Sequence, residues 1–201
     1  RAKGKIRHIG FSFHDQLSLF KEVIDSYPWD FCQIQLNYMD KEFQAGEEGL
    51  HYAAEKGIPV IIMEPLKGGK LTDTLPPSVK ALWKQAEIQR TPAEWALRWV
   101  ANHSEILTIL SGMSAPEQLE ENLRILSQAK PNSLTEKELS IIDQVSSEYN
   151  RLIQYSCTSC KYCMPCPKKI DIPTAIRFYN EWFLYEGNPK IKADYPNWLV
   201  K

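Results

Sequence analysis

What the chain has little of narrows its character first. No apolar run approaches the roughly 18–20 residues that a membrane-crossing helix needs, and the basic stretch from Arg1 to Arg7 is not followed by the apolar segment of a secretory signal. The cytoplasm is therefore the expected compartment. Charge of one sign is also lacking. Twenty-four Lys and Arg against 25 Asp and Glu leave a net charge of −1, so neither nucleic acid nor a membrane surface is expected as a partner. There is no low-complexity segment and no internal repeat, which excludes a stacked-repeat fold. Cysteine is scarce outside one place. Four of the five cysteines fall between Cys157 and Cys166, which suits a metal centre in a reducing compartment better than a disulfide framework. The fifth, Cys32, stands alone in an apolar run and reads as a small buried core residue.

What is present is an ordinary globular composition, 43% hydrophobic and 24% charged, with enough apolar matter for a core. From Ile6 to about Ser127, short β-branched runs alternate with longer helical patterns, the signature of βα units around a parallel sheet. Strands are expected at Ile6 to Phe11, Phe31 to Leu36, Pro59 to Met63 and Ile106 to Ser111. Their nearly continuous apolar character implies cover on both faces. Helices are expected from near Asp15, Glu47 and Ser78. Another starts at Thr91, where Thr91, Pro92 and Glu94 form a capping box with proline at the first helical position. Ser114, Pro116 and Glu117 give a similar start, and a further helix opens at Thr135 with Glu138 three residues on. From about Arg151 the character changes to the cysteine cluster, a helix from Ile172 to about Tyr185, and an aromatic tail. The expected division is 1–150 and 151–201.

Cys157-Thr-Ser-Cys160-Lys-Tyr-Cys163-Met-Pro-Cys166-Pro167 places a thiol at every third residue. A cubane cluster needs several thiolates converging on one centre, and a short turn-rich loop can aim them there. The spacing differs from the bacterial ferredoxin run, which has three residues before its last cysteine, so Cys166 is either the fourth ligand of the same cluster or not. A four-cysteine zinc site and reduced free thiols are the alternatives. Zinc sites usually separate two Cys-x-x-Cys pairs by a longer stretch, and here all four lie on one loop, so a 4Fe-4S cluster is favoured. The aromatics Tyr179, Trp182, Phe183 and Tyr185 fit either a docking face or a shield for that cluster.

Taken in order, Ile9-Gly10-Phe11-Ser12, Gln33-Ile34-Gln35-Leu36-Asn37-Tyr38, Met63-Glu64-Pro65-Leu66-Lys67-Gly68-Gly69, and Ser111-Gly112-Met113-Ser114 followed by Glu121-Asn122 resemble the second half of an aldo-keto reductase. The cysteine run with Met164-Pro165 and Ile170-Asp171-Ile172-Pro173 resembles the iron-sulfur branch of that family. The resemblance implies an α/β fold made of strands five to eight of a (β/α)8 TIM barrel, plus a small C-terminal helical iron-sulfur module. It also implies NADPH or NADH laid across the carboxyl ends of the strands. By the same resemblance Ser12 and Gln33 would bond the nicotinamide carboxamide, and Met63 would form an apolar stacking surface where relatives often have an aromatic. Glu64, Leu66 and Gly68 would line the pyrophosphate loop. Ser114 would open a helix whose N-terminus attracts an anion, and Gln118, Glu121 and Asn122 would face the adenosine. Many NADPH-selective relatives carry an arginine where Gln118 stands. Gly68-Gly69-Lys70 is not a Walker phosphate loop, since the upstream glycine and the Ser/Thr are missing.

The catalytic Asp, Tyr, Lys and His of such reductases lie on the first four strands, a half that this sequence does not contain. No residue here is expected to be catalytic. His8 and His14 flank the first strand and His51 and His103 lie on expected helices, all four as solvated polar residues. Four strands cannot close a barrel, and their open edges invite association. Three arrangements compete: a fragment of a longer reductase, pairing with a separate N-terminal half, or edge-to-edge dimerisation. Arg1 falls in what resembles the end of a helix leading into strand five, which favours the fragment. The expected function is part of an NAD(P)H-dependent reductase of small carbonyl compounds, with this chain alone inactive. The alternative is a non-catalytic iron-sulfur electron-transfer or interaction module on a half-barrel scaffold.

Overall fold

The structure is a computed structural model that describes residues 4–72, 74–155, 157, 163–187, 189, 191 and 193. Four short strands, β1 (Gly10–Ser12), β2 (Phe31–Gln35), β3 (Val60–Met63) and β4 (Ile106–Ile109), form one sheet in the order of the sequence, every neighbouring pair parallel. Parallel neighbours cannot be joined by a tight hairpin and need a crossover of a dozen or more residues, usually a helix. Those crossovers are α1 (Leu17–Ser26), α2 (Gly46–Glu55), and the pair α3 (Pro77–Trp83) and α4 (Pro92–Ala101). Helices α5 (Pro116–Gln128), α6 (Glu136–Leu152) and α7 (Ile172–Leu184) follow β4. The chain gathers into two compact units: Arg1–Thr74 with Ile88–Ile142, and Leu75–Glu87 with Asp143–Lys201.

In the first unit the core follows from strand alternation. Cys32 and Ile34 on β2 and Val60 and Ile62 on β3 are almost wholly buried, and residues two apart on a strand share one face. Phe20 and Ile24 of α1, Leu50 and Ala53 of α2, and Trp95, Leu97 and Val100 of α4 are buried as well. Each Leu-sized side chain so buried stabilises by about 1.5–3 kcal/mol. The pairing of β1 with β2 requires glycine at one point: a Cβ on Gly10 would lie 2.5 Å from the carbonyl oxygen of Phe31, its register partner.

Strand ends differ from the sequence-based expectation, for local reasons. β1 starts at Gly10 rather than Ile6, because the Asp30 carboxylate accepts the Ile9 N–H at 2.7 Å in place of a strand partner. β4 ends at Ile109, and the Leu110 N–H to the Ile62 carbonyl, at 2.8 Å, extends it by one bond among the described residues. The expected cover on both faces fails at β4. Leu107 has no register partner on β3, where pairing passes from Ile106 to Thr108, and its side chain is 62% exposed.

Two helix starts expected from capping patterns form as such. Thr91 accepts the Glu94 N–H at 3.1 Å, and Thr135 and Glu138 cap α6 reciprocally, with Glu138 accepting the Thr135 N–H at 2.8 Å and Thr135 accepting the Glu138 N–H at 3.3 Å. Helix α5 starts two residues later than Ser114. Ala115 precedes it, and the Gln118 side chain accepts the N–H groups of Ser114 (3.0 Å) and Ala115 (3.3 Å), so the glutamine supplies the cap that the serine was expected to give. His51 is exposed and bonded to Glu105 at 2.8 Å. His103 departs from its expected surface role: it lies past the end of α4, largely buried, with Nδ1 3.0 Å from the Trp99 carbonyl and Nε2 3.1 Å from Glu47 of α2. Both ring nitrogens face acceptors, so the doubly protonated ring satisfies both. Burial is the largest single influence and opposes that charge, but the bond to Glu47, its negative charge and the Val100 and Trp99 carbonyls together outweigh it and raise the His103 pKa above the ordinary histidine value.

A charged network joins α4, α5 and α6 within the first unit. Glu94 takes hydrogen bonds from Arg98 (2.8 Å) and Arg124 (3.3 Å) and lies 3.6 Å from Arg90, which pairs in turn with Glu138 and stacks on Trp95 at 4.5 Å. Burial alone would raise the pKa of both carboxyls. For Glu94 the bonds from Arg98 and Arg124 prevail, and for Glu138 those from Thr135 and Arg90, so both are held below their ordinary value of 4.5. A carboxyl with a depressed folded-state pKa contributes stability above its unfolded value, and the contribution is lost as pH falls. Urea midpoints are expected to be level above about pH 5 and to drop steadily below about pH 4.5 as the two carboxyls protonate. Glu94→Gln should remove about 3 kcal/mol at neutral pH and reduce that acid limb to the share of Glu138, since Arg98 and Arg124 lose their charged acceptor while Arg90 keeps Glu138.

Candidate functional site

Parallel pairing brings the carboxyl ends of β1, β2 and β3 to one side of the sheet, and the side chains at those ends become neighbours. Ser12 is the register partner of Gln33, and Gln35 that of Met63. The Gln33 amide donates to the Met63 sulfur at 3.6 Å, so Gln33 and Met63 lie together, both half-buried, while Ser12 is exposed beside them. A hydroxyl, a carboxamide and a thioether thus form one row with donors, acceptors and an apolar surface.

Directly beyond this row lies a buried polar cluster that the sequence analysis did not single out. Asn37 is fully buried and Gln35 and Asp40 nearly so. Asp40 accepts hydrogen bonds from the Gln35 amide (3.0 Å) and the Asn37 amide (2.9 Å), and its carboxylate pairs with the Lys67 ammonium. Asn37 also accepts the N–H groups of Met39 (3.0 Å) and Asp40 (3.1 Å), closing the turn after β2, and its amide donates to the Glu64 carbonyl at 3.2 Å. One carboxylate and one carboxamide therefore tie the loop after β2 to the loop after β3.

That second loop has an unusual backbone. Glu64 (φ 55°), Lys67 (φ 52°), Gly68 (φ 63°) and Gly69 (φ 85°) all lie in the left-handed region. For Glu64 and Lys67 this carries a steric cost that must be offset by the surrounding structure, whereas glycine adopts it freely. Successive turns hold the coil: Lys67 N–H to the Glu64 carbonyl (3.0 Å), Gly69 N–H to that of Leu66 (3.0 Å), and Thr72 N–H to that of Gly69 (2.9 Å). A Cβ on Gly68 would meet nothing within 4 Å, so its backbone faces open space. Leu66 is half-buried and Glu64 exposed.

The loop after β4 is built differently. Asn122 of α5 is buried and donates to the Ser111 hydroxyl at 3.1 Å and the Met113 sulfur at 3.4 Å, fixing the loop to the helix. Glu121 accepts the Thr91 hydroxyl at 2.7 Å. Ser114 and Gln118 are both exposed, joined by the cap already described. Of the ten residues expected to hold a dinucleotide, Ser12, Gln33 and Met63 come together, Glu64, Leu66 and Gly68 share the left-handed loop, and Ser114, Gln118, Glu121 and Asn122 mark the α5 start.

Cys32 is buried as expected, and burial raises its thiol pKa to about 12. In the second unit Cys157 and Cys163 are exposed, Cys166 is half-buried, and all three are free thiols; Cys160 lies outside the described residues. Among the described residues no three His, Cys, Asp or Glu side chains gather closely enough to hold a metal ion. A turn follows Cys166, whose carbonyl accepts the Lys169 N–H at 2.8 Å, and Asp171 then caps α7 through the Thr174 N–H at 3.2 Å. Tyr155, Ile176, Phe178, Tyr179, Trp182 and Ile191 help line an apolar groove of ≈ 620 Å³ along α7. Among the described residues no helix is long and apolar enough to cross a membrane.

A model described as the Aldo/keto reductase family matches residues 1–147. The chain is 29% identical over 152 residues to the NADH-specific methylglyoxal reductase of Escherichia coli, covering 63% of this chain and 46% of that protein. It is 26% identical over 159 residues to the L-galactose dehydrogenase of Arabidopsis thaliana, covering 72% and 50%. The chain spans about half the length of the curated relatives it matches. Among solved structures, an aldo-keto reductase of Bacillus halodurans in its holo form aligns with a TM-score of 0.58 at 23% identity, over 72% of this chain and 51% of that one. An aldo-keto reductase of Klebsiella pneumoniae in complex with NADPH aligns with a TM-score of 0.52 at 24% identity, over 72% and 50%. At these identities the structural likeness speaks for the fold.

Thiol reactivity follows exposure and thiolate character. Metal-free chain treated with iodoacetamide near neutral pH should be labelled at Cys157 and Cys163 first and at Cys166 more slowly, with Cys32 labelled only in denaturant. Peptide mass mapping over a time course measures this order, and early labelling of Cys32 in folded protein contradicts its place in the core.

Proposed function

The chain belongs to the aldo/keto reductase family, and from that premise we propose that it is strands five to eight of a (β/α)8 reductase barrel, holding NADPH or NADH and joined to a small helical iron-sulfur module. The observation that carries the dinucleotide assignment is the row of Ser12, Gln33 and Met63 at adjoining strand ends, beside a loop with left-handed backbone at four positions. The Ser12 hydroxyl and the Gln33 carboxamide bond the carboxamide of a nicotinamide, and Met63 gives its ring an apolar surface. Glu64, Leu66 and Gly68 let the backbone approach a pyrophosphate. Ser114, Gln118, Glu121 and Asn122 take the adenosine end. An anion at the α5 start competes with the Gln118 side chain, which already engages the Ser114 and Ala115 N–H groups. The chemistry that such a cofactor supplies when bound is hydride transfer, while these residues bind and orient it.

No residue of this chain is assigned to proton transfer. We assign that to a first barrel half bearing Asp, Tyr, Lys and His, in the same parent chain or a separate one, with a small carbonyl compound as substrate. The open edges at β1 and β4 and the half-length match to the relatives support a completing half; edge-to-edge pairing of two copies is the other way to cover them. For the cysteine segment, the donor set is soft thiolates on a short loop, which fits a 4Fe-4S cluster held by Cys157, Cys160, Cys163 and Cys166. Convergence of the sulfurs is then coupled to metal binding, as is usual where ligands are assembled by the metal.

Titration of the purified chain with NADPH and with NADH, followed by tryptophan quenching, should give saturable binding, and a flat titration with both removes the dinucleotide assignment. Anaerobically prepared protein should contain iron and sulfide and show a broad band at about 400 nm that bleaches with dithionite; zinc without sulfide in elemental analysis rules the cluster out. Neither preparation should reduce small aldehydes, and measurable turnover by this chain alone overturns the assignment of catalysis to a completing half.

A further inference from the structure

We infer that Asp40 and Lys67 are positioning residues for the dinucleotide loop: their ion pair, with Gln35 and Asn37 behind it, holds residues 64–69 in the conformation that receives the cofactor. This deepens the proposed function and rests on it. A lysine beside two glycines could serve as a direct phosphate ligand. The geometry assigns it otherwise. Its ammonium is engaged by a carboxylate that is itself nearly buried and fixed by two side-chain amides, so the Lys67 charge is balanced from beneath. The bridge meets the loop at two points, the Lys67 side chain and the Glu64 carbonyl, which accepts from Asn37 at 3.2 Å. Those two residues are the non-glycine members of the loop with positive φ, 55° and 52°. Backbone in that region persists when neighbouring structure over-determines it, and here the fastening falls on the residues that need it. A binding loop set before the ligand arrives loses less conformational freedom on binding, which appears as affinity.

The two roles for Lys67 predict opposite behaviour. If Lys67 contacts phosphate directly, Lys67→Met weakens binding, while Asp40→Asn frees the ammonium and leaves affinity equal or better. If the pair positions the loop, Asp40→Asn and Lys67→Met each raise the Kd for NADPH or NADH about tenfold. The double variant is then no worse than either single one, because both cut the same bridge. Lys67→Arg, whose guanidinium can span both carboxylate oxygens, restores affinity. Hydrogen exchange of the amides in 64–72 gives a readout independent of cofactor: protection should fall in Asp40→Asn and Lys67→Met and stay level elsewhere in the sheet. Circular dichroism confirms folding, and the half-exposed Lys67 serves if Asp40→Asn does not fold.

Equal affinity and equal loop protection in wild type and both single variants overturn the positioning role while the dinucleotide function stands. Weaker binding confined to Lys67→Met overturns it in favour of direct phosphate contact. Wild-type chain that binds neither NADPH nor NADH overturns the dinucleotide function itself, and the positioning role falls with it.

Discussion

Parallel pairing of four short strands in sequence order is the constraint on which the rest of the first unit depends. It obliges each connection to return across the sheet through a helix, and so places the strands' carboxyl ends, with their following loops, on one side. Ser12, Gln33 and Met63 are neighbours because of register, not sequence proximity. The helices then have to meet the sheet through apolar faces, which is why Phe20, Leu50 and Trp95 are buried. The charged network about Glu94 secures α4, α5 and the start of α6 to one another.

The buried amides and carboxylate behind the strand ends convert that placement into a defined surface. A buried carboxylate is tolerated when its oxygens are paired and hydrogen-bonded, and Asp40 has both kinds of partner. Removing a partner from such a group costs more than the intact arrangement contributes, because the desolvation remains. Its effect is specificity of shape: two loops separated along the chain by α2 and β3 become one structural feature. The α5 start, capped by Gln118 from its own first turn, is a more self-contained element, and Asn122 fastens the preceding loop to it.

Much of this was legible in the sequence where local chemistry decides it. Short apolar runs locate β2, β3 and β4 and overlap β1 at Gly10 and Phe11, and the Thr91 and Thr135 patterns locate two helix starts, since a cap satisfies N–H groups within three residues of itself. What depends on distant partners was not legible. Asp30 reaches back to Ile9 and shortens β1; the apolar run of β4 gives no sign that Leu107 faces outward. His103 is drawn inward by Glu47, which lies on another helix. The Asp40 cluster joins residues 27 positions apart. Asn37-Tyr38-Met39-Asp40 directly after a strand was its one available signal: polar side chains where the chain must turn at the edge of a core need internal partners.

The exposed surface of the sheet bears on how the proposed barrel is completed. An edge strand in a stable monomer is usually short, charged, bulged or covered. β4 is short and slips register at Leu107, and both features discourage pairing with an arbitrary strand. Yet the apolar side chains Leu107, Leu119 and Leu123 are exposed at 62%, 42% and 63%, more apolar surface than a solvated edge requires. A strand alone would satisfy the backbone of β4 and leave the two leucines of α5 in water. Leu119 and Leu123 are one helical turn apart and present a common stripe, which a helix covers and a strand paired to β4 does not. A βα unit, as the proposed first half of a (β/α)8 barrel would bring, offers both a strand for β4 and a helix for α5, and an isolated strand does not.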